Sequence, residues 1–379
     1  MNQHKTCIVL TTINAGGILE GYCKQAEEEG VKDGLQIIVI PDRKTPSELF
    51  AKCDQVRARG FNIQCPTVEE QDAYLKKFGA LAQLVPYNSD NRRNIGYLMS
   101  LETDCEVLLS IDDDNYAVGE TYGTMASVCE DSMTLPAVHS SNGWFNFCDM
   151  LEIEPNNLVF PRGYPYHKRT ETPKLTYKEE TGKVRMNVGL WLHEPDLDAI
   201  TWLAAPVRAR SFKPHDGGSI LLGQDTWSPI NTQNTGLHRD LTVTYYFVRM
   251  GYPLAGLPID RYGDIFSGYL SQACVRHMGD RIRVGTPVAD HKRNAHNYMR
   301  DLAGELACIM VLEPMLEWLP EAKLEGSNYA DTYLSLADAI DQQVVHFTGQ
   351  IWNDATRGYF HHMTYCMREW VKACRLIGA

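Results

Sequence analysis

The chain has 379 residues, of which 44% are hydrophobic and 22% charged, a balance typical of globular proteins and not of disordered chains. Its formal net charge of -12 disfavours binding to nucleic-acid backbones, so an anionic ligand would need a local group of cations or a metal. No apolar run is long enough for a signal peptide or a membrane span, and the sequence therefore predicts a cytoplasmic protein without membrane insertion.

Three short apolar runs, each followed by polar residues, predict buried strands at Cys7–Thr12, Leu35–Ile40 and Val107–Ile111. A helical segment follows the first strand, so the pattern predicts an α/β fold with a mixed, mostly parallel sheet flanked by helices. In such sheets ligands bind at the carboxyl ends of the strands. Polar residues stand at each of these ends and are expected to face one crevice: Thr11, Thr12, Asp42 and Asp112–Asp114.

In the rest of the chain, the sequence predicts first a region of loops and short strands and then a helical region. Between Trp144 and Pro258 the sequence favours loops and short strands, with an exposed hairpin at Lys174–Arg185. Helical periodicity returns in Tyr298–Leu319, Tyr329–Phe347 and Tyr365–Leu376. We therefore divide the chain into a catalytic domain at 1–294 and a C-terminal helical region at 295–379, which could also support a homo-oligomer.

The acidic triplet Asp112-Asp113-Asp114 directly follows the third apolar run. Because alternate strand residues point the same way, Asp112 and Asp114 can present two carboxylates to one cation. Oxygen ligands of this kind suit Mn²⁺ or Mg²⁺, which would neutralise a diphosphate. The alternative interpretation is a solvated acidic turn.

Five arginines are candidates for contacts with phosphate, because a guanidinium stays charged and binds phosphate through paired hydrogen bonds. They lie in three segments: Arg92 and Arg93 before the third strand, Arg162 and Arg169 in a Pro- and Gly-rich loop, and Arg261 farther along. Each could instead be an ordinary surface side chain.

Several segments together resemble the reversibly glycosylated polypeptides, the UDP-arabinopyranose mutase family. The matching text is SIDDDNYAV (Ser110–Val118), FPRGYPYHKR (Phe160–Arg169), GLWLHEPDLDA (Gly189–Ala199), PIDRYGDIFSGY (Pro258–Tyr269) and GTPVADHKR (Gly285–Arg293). The resemblance covers about residues 6 to 310. Where the family has an acidic pair after Arg-Tyr, this chain has Gly263-Asp264.

The resemblance implies a GT-A-like fold, dependence on Mn²⁺ or Mg²⁺, and no flavin. It places Asp112, Asp114 and His291 at the metal, and Arg162 and Arg169 among the catalytic residues. We add Asp264 as a candidate for moving hydroxyl protons, with pairing to Arg261 as the alternative. The resemblance also places Thr11, Thr12 and Asp42 near the nucleotide. We further predict contacts with the nucleotide sugar for Arg92, Arg93, Asp113, Trp191 and Arg261.

The implied reaction interconverts the pyranose and furanose forms of a sugar carried on a nucleoside diphosphate, UDP or GDP. Two alternatives stay open: a GT-A glycosyltransferase that passes the sugar to an acceptor, and a non-catalytic nucleotide-sugar-binding subunit. Within the mutase interpretation Arg162 either forms a transient sugar adduct or clamps phosphate. An adduct is chemically demanding, because a guanidinium that stays protonated is a poor nucleophile.

Overall fold

The computed structural model describes residues 4–213, 218–294 and 296–378. The helices are α1 Leu19–Glu28, α2 Glu48–Ala58, α3 Val68–Leu75, α4 Leu81–Leu84, α5 Arg93–Leu101, α6 Thr121–Met125, α7 Ala199–Ala204, α8 Gly263–His277, α9 Tyr298–Trp318, α10 Tyr329–Gln343 and α11 Asp354–Ile377. The strands are β1 Thr6–Thr12, β2 Leu35–Pro41, β3 Asn62–Gln64, β4 Val107–Ile111, β5 Asn115–Ala117, β6 Met133–Ser140, β7 Leu151–Glu154, β8 Leu175–Gly182, β9 Val184–His193, β10 Arg208–Phe212, β11 Ile220–Leu222, β12 Asn234–His238, β13 Tyr252–Leu254, β14 Leu257–Ile259 and β15 Arg281–His291.

The predicted α/β sheet is confirmed, and its parallel part is the N-terminal half. Strands β3, β2, β1 and β4 are neighbours in that order and all run parallel. The chain leaves β1 toward β2 on one side and later returns to β4 on the other side. Such a reversal opens a crevice at the carboxyl ends of β1 and β4.

The two faces of this half-sheet are buried in separate hydrophobic cores, which explains its continuous apolar strands. Alternate residues of β1 and β2 point to opposite faces. On one face Ile8 and Val39 join the cluster that contains α1 and α2. On the other face Val9 and Ile38 join the larger cluster, which contains α5 and the C-terminal helices.

The second half of the sheet is mixed. Strand β12 runs antiparallel to both β4 and β9, and β9 runs parallel to β15. The expected hairpin at Lys174–Arg185 is wrong. Strand β8 pairs with β6 at the sheet edge, while β9 enters the interior of the sheet. The connection between β8 and β9 is short, and strands adjacent in the chain usually pair with each other. The sequence therefore suggested a hairpin.

The predicted C-terminal helical region is confirmed as a set of three helices packed on the sheet domain. Trp370 of α11 donates a hydrogen bond to the carbonyl of Val243 at 2.9 Å, and Tyr359 donates one to the carbonyl of Arg249, also at 2.9 Å. One hydrophobic core runs from the sheet into these helices. A boundary at residue 294 stays a prediction. Among the described residues, no helix is both long and apolar enough to cross a bilayer.

Helix α8 approaches the backbone of residue 230 very closely at Gly268. A Cβ atom placed there would lie 1.8 Å from the carbonyl oxygen of Ile230. No side chain fits at that distance, so the approach of α8 to this loop depends on glycine. The same helix begins at Gly263 and carries Asp264 in its first turn.

We expect Gly268→Ala to lower the free energy of unfolding by roughly 1–3 kcal/mol, because the added methyl group forces the helix away from its neighbour. Urea denaturation would measure the change. Gly358→Ala is the matched control, since a Cβ at this helical position meets nothing within 4 Å. That variant should be neutral or slightly stabilising, and equal effects of the two substitutions would contradict the prediction.

Candidate active site

A cavity of about 710 Å³ opens at the carboxyl ends of β1, β2 and β4. It brings together most of the residues selected from the sequence. Those that line it are Thr11, Thr12, Asp42, Arg92, Arg93, Asp112, Asp113, Asp114, Arg162, Arg261, Asp264 and His291. Its walls carry many carboxylates and guanidinium groups, so the pairing among them decides which charges are left for a ligand.

Arg93 connects the ends of β1 and β4. This side chain is 2% exposed and donates hydrogen bonds to Asp112, to Thr11 at 3.1 Å and to the carbonyl of Thr232 at 3.1 Å. The neighbouring Asp113 is held by the Thr12 hydroxyl at 2.6 Å. The triplet therefore forms a half-buried turn, and its carboxylates are hydrogen-bonded to neighbouring segments of the fold.

Asp114 and His291 face each other at the cavity wall. The Nε2 atom of His291 lies 3.5 Å from Asp114 Oδ1, and its Nδ1 atom lies 2.6 Å from the carbonyl oxygen of Glu194. A carbonyl only accepts, so Nδ1 carries hydrogen and Nε2 is free to bind a proton or a metal. Fixing the second nitrogen in this way is the usual support for a metal-binding histidine.

Two carboxylates and an imidazole, as in Asp112, Asp114 and His291, are donor types that bind divalent cations such as Mn²⁺. Low access of water raises the pKa of Asp112 to about 7, although Arg93 lies beside it. Burial pushes the pKa of His291 down, but the hydrogen bond and charge of Asp114 bring it above the usual value. Two carboxylates and an imidazole nitrogen that crowd one recess need positive charge, which Mn²⁺ or Mg²⁺ would supply.

The three proposed ligands are not drawn onto a single point, because Asp112 is turned toward Arg93. Among the described residues, a tighter group of metal-ligating side chains is His4, Glu106 and Cys129, whose ligand atoms lie within 4.8 Å of one another. His4 and Glu106 precede β1 and β4 and so lie at the opposite ends of these strands from the cavity.

The side of the cavity beside β2 is built by Asp42 and Arg92. Asp42 accepts hydrogen bonds from the backbone amides of Arg43 at 2.7 Å and Ser89 at 3.2 Å. Arg92 is 1% exposed and donates to the Gln71 side chain at 2.7 Å. Arg92 therefore supports this wall from inside, whereas the sequence suggested a phosphate contact.

Arg162 lies on the opposite wall with all five of its N–H groups engaged. Nε and one Nη2 hydrogen go to Asp196, the other Nη2 hydrogen and one Nη1 hydrogen to Asp264, and the last to the carbonyl of Arg261. Burial opposes ionisation of Arg162, but the two carboxylates hold its pKa well above the usual value. No donor is left for phosphate and no nitrogen lone pair for a sugar.

Asp264 pairs with Arg162, so the alternative pairing with Arg261 is wrong. Arg261 has a positive φ of 62° and turns its side chain toward α9, where it meets Asp301 and Glu305, each at 3.2 Å. This backbone conformation could not be read from the sequence.

Arg169 and Trp191 do not line the cavity. Arg169 donates to Asp198 at 2.6 Å and lies 3.7 Å from the ring centre of Tyr166. It therefore braces the loop that carries Arg162. Trp191 is 2% exposed within β9. Both positions correct the expectation of direct contact with the substrate.

The cavity also contains charged residues that sequence reasoning missed. Asp196 was inside a matching segment, but only the fold shows that it faces Arg162. Arg293 also lies in a matching segment, and its place two residues after His291 was the signal that could have identified it. The missed lining residues with charged side chains are Lys44, Asp90, Asp196, Arg249, Asp260 and Arg293.

The fold and this cavity define an α/β protein with a charged site at the strand ends, and comparisons with known proteins identify its family. A family model described as "Reversibly glycosylated polypeptide" matches residues 1–379. The chain therefore belongs to the reversibly glycosylated polypeptide family, as its motifs predicted.

Named relatives are similar to this chain over most of its length. UDP-arabinopyranose mutase 2 of Arabidopsis thaliana is 25% identical over 298 residues, covering 78% of this chain and 74% of the relative. UDP-arabinopyranose mutase 1 of Oryza sativa subsp. japonica is 26% identical with the same coverage. Among solved structures, glucosyl-3-phosphoglycerate synthase of Mycobacterium tuberculosis with Mn²⁺ and UDP-glucose aligns at a TM-score of 0.36 and 13% identity, over 82% of this chain and 79% of that one. This structural similarity is too low to support any assignment.

The Arg162 network predicts that Asp196→Asn destabilises the protein. The variant removes one of two charges that neutralise a buried guanidinium, so we expect the free energy of unfolding at pH 7 to fall by roughly 2–3 kcal/mol. Asp338→Asn is the control, because Asp338 is 63% exposed and pairs with a surface arginine. Its effect should stay below about 1 kcal/mol, and chemical denaturation of both variants would show whether the two losses differ.

Proposed function

We propose that this protein is a metal-dependent mutase that interconverts the pyranose and furanose forms of a nucleoside diphosphate sugar. The observation that carries the proposal is the recess formed by Asp112, Asp114 and His291 in a chain of this family. The named relatives are UDP-arabinopyranose mutases, which favours UDP as the carrier. A GDP-linked sugar is the other candidate.

The nucleotide would lie along the ends of β1 and β2, where Thr11, Thr12 and Asp42 line the cavity. Asp112, Asp114 and the Nε2 atom of His291 would hold Mn²⁺ or Mg²⁺. When bound, the cation would neutralise the diphosphate and make it a better leaving group. The protein would supply the fixed orientation of these ligands, through Arg93 behind Asp112 and the Glu194 carbonyl behind His291.

The sugar would face the wall that contains Arg162, Asp196 and Asp264. The bond between the anomeric carbon and the phosphate oxygen would break, and the electron pair would leave with the diphosphate. A different hydroxyl of the sugar would attack the anomeric carbon and lose its proton. The bond from that carbon to the first ring oxygen would then break, and this oxygen would take up a proton. The same phosphate oxygen would then attack the anomeric carbon again. A recess that retains the diphosphate keeps the sugar from water.

For Arg162 we propose a positioning role. Its donors hold the carboxylates of Asp196 and Asp264 at fixed positions beside the sugar. These carboxylates can stabilise positive charge that develops on the sugar ring in the transition state. Asp264 would be the carboxylate that exchanges hydroxyl protons, and Arg169 would act at a distance by bracing the loop.

An assay without any acceptor tests the reaction. Purified protein with Mn²⁺ and UDP- or GDP-linked pentoses and hexoses is expected to yield a product of equal mass and different chromatographic mobility. The double variant Asp112→Asn/Asp114→Asn should lose at least about a hundredfold in rate, because the leaving diphosphate is no longer neutralised. Asp338→Asn/Asp354→Asn, on exposed positions, is the control and should keep wild-type rate. Sugar transfer that appears only after an acceptor is added would replace the mutase by a glycosyltransferase.

The raised pKa of Asp112 predicts how cation binding depends on pH. A cation binds the ionised carboxylate, and Asp112 with a pKa of about 7 is mostly protonated at pH 6 and mostly ionised at pH 8. Affinity for Mn²⁺ should therefore rise by about tenfold between these values, with release of a proton. The raised pKa of His291 acts in the same direction, since its Nε2 atom must also lose a proton.

Isothermal titration in two buffers with different heats of ionisation would measure both the affinity and the proton release. Asp112→Asn should bind Mn²⁺ more weakly and with a flatter dependence on pH. An affinity for the wild-type protein that is constant from pH 6 to pH 8 would contradict this assignment of Asp112.

A further inference from the structure

Some of the cations that line the cavity are paired with carboxylates and others are not, and this difference shows which positive charge is available to an anionic ligand. Arg93 is committed to Asp112, Arg162 to Asp196 and Asp264, and Arg261 to α9. Within the described part of the chain, the lining cations with no carboxylate oxygen inside 4.0 Å are Lys44, Arg249 and Arg293. The position of Arg293 distinguishes it from the other two.

Arg293 is attached to the acidic triplet through its neighbours. The backbone amide of Lys292 donates to the carbonyl of Asp114 at 3.0 Å, and that of Asn294 lies 3.4 Å from the Asp114 carboxylate. The amide of Arg293 itself donates to the Glu194 carboxylate at 2.9 Å. Glu194 also holds His291 through its carbonyl. One residue thus fixes both the proposed metal ligand and the backbone of Arg293.

The guanidinium of Arg293 packs against aromatic rings, and no carboxylate oxygen of the described residues lies within 4.0 Å of it. It lies 5.2 Å from the ring centre of Trp202 and 5.7 Å from that of Tyr298, and these two rings stack on each other at 5.9 Å. Its Nη1 atom is buried without a hydrogen-bond partner. Aromatic faces orient an arginine without neutralising it, so its positive charge stays available to the cavity.

We propose that Arg293 is the residue that binds the diphosphate of the nucleotide sugar, from the side of the cavity that carries His291. A diphosphate between Arg293 and the cation site would receive positive charge from two directions, while Arg162 shapes the sugar wall. This inference rests on the proposed function and assigns the diphosphate contact within the same site.

Binding measurements with UDP, UMP and uridine in the presence of Mn²⁺ test the proposal without any need for turnover. A charge-assisted contact to phosphate corresponds to a loss of about tenfold to a hundredfold in affinity when it is removed. We expect this loss for UDP in Arg293→Gln, a smaller loss for UMP, and unchanged affinity for uridine. Arg293→Lys should recover part of the UDP affinity, because a point charge replaces a bidentate one.

Two further variants make the result specific. Arg300→Gln removes an exposed arginine at the start of α9 and should bind UDP as the wild-type protein does. Arg249→Gln tests the other lining arginine, and a UDP-specific loss there but not in Arg293→Gln would overturn the proposal. Equal loss for UDP and uridine in Arg293→Gln would also overturn it, since that result indicates a damaged pocket.

The outcomes separate this inference from the proposed function. If the wild-type protein binds neither UDP nor GDP in the presence of Mn²⁺, this result contradicts both the proposed function and the inference. If the Arg293→Gln variant binds UDP as tightly as the wild-type protein does, this result contradicts the inference alone. If the wild-type protein binds GDP but not UDP, the same measurements are made with GDP, GMP and guanosine.

Discussion

Carboxylates gathered in a recess that excludes water need positive charge close by, and Arg93 supplies it at the point where β1 and β4 end. The cost of burying an unpaired charge is several times the stability gained from an ordinary hydrogen bond. Arg93 meets this requirement by bonding at once to Thr11, Asp112 and the carbonyl of Thr232. It thereby holds the ends of two parallel strands and the loop before β12 together. This arrangement sets the geometry of the acidic triplet.

The same requirement divides the arginines of the cavity into two kinds. Arg162 and Arg261 are paired with carboxylates, so they hold parts of the structure in place and leave little charge for a ligand. Arg293 is oriented by aromatic rings and keeps its charge. A guanidinium can therefore either stabilise the fold or bind the ligand, and its hydrogen-bond partners determine which of these two roles it has. Family motifs alone do not make this distinction, because they mark both kinds equally.

Much of the architecture could be predicted because it follows from local patterns. The strand at Val107–Ile111 was predicted to the residue, and β1, β2 and α9 to within one residue at each end. Strand β9 was not identified, since its interior carries the buried polar residues Arg185 and Asn187, which break the apolar pattern. The hairpin at Lys174–Arg185 failed for a related reason: partner choice between strands is a long-range property that no local pattern contains.

The family, the α/β alternation and the polar residues at the strand ends could be predicted before the fold was known, because strand periodicity and short motifs are local features of the chain. The spacing of Asp112 and Asp114 also suggested two carboxylates on one cation, and that stays a prediction. Three features became evident only in the folded chain. Asp264 and Asp196 engage Arg162; Arg169 and Trp191 lie outside the cavity; and Arg293 has no carboxylate partner within the described residues. These facts depend on contacts between segments 29 to more than 100 positions apart, and electrostatic pairing acts through distance in space, not separation along the chain.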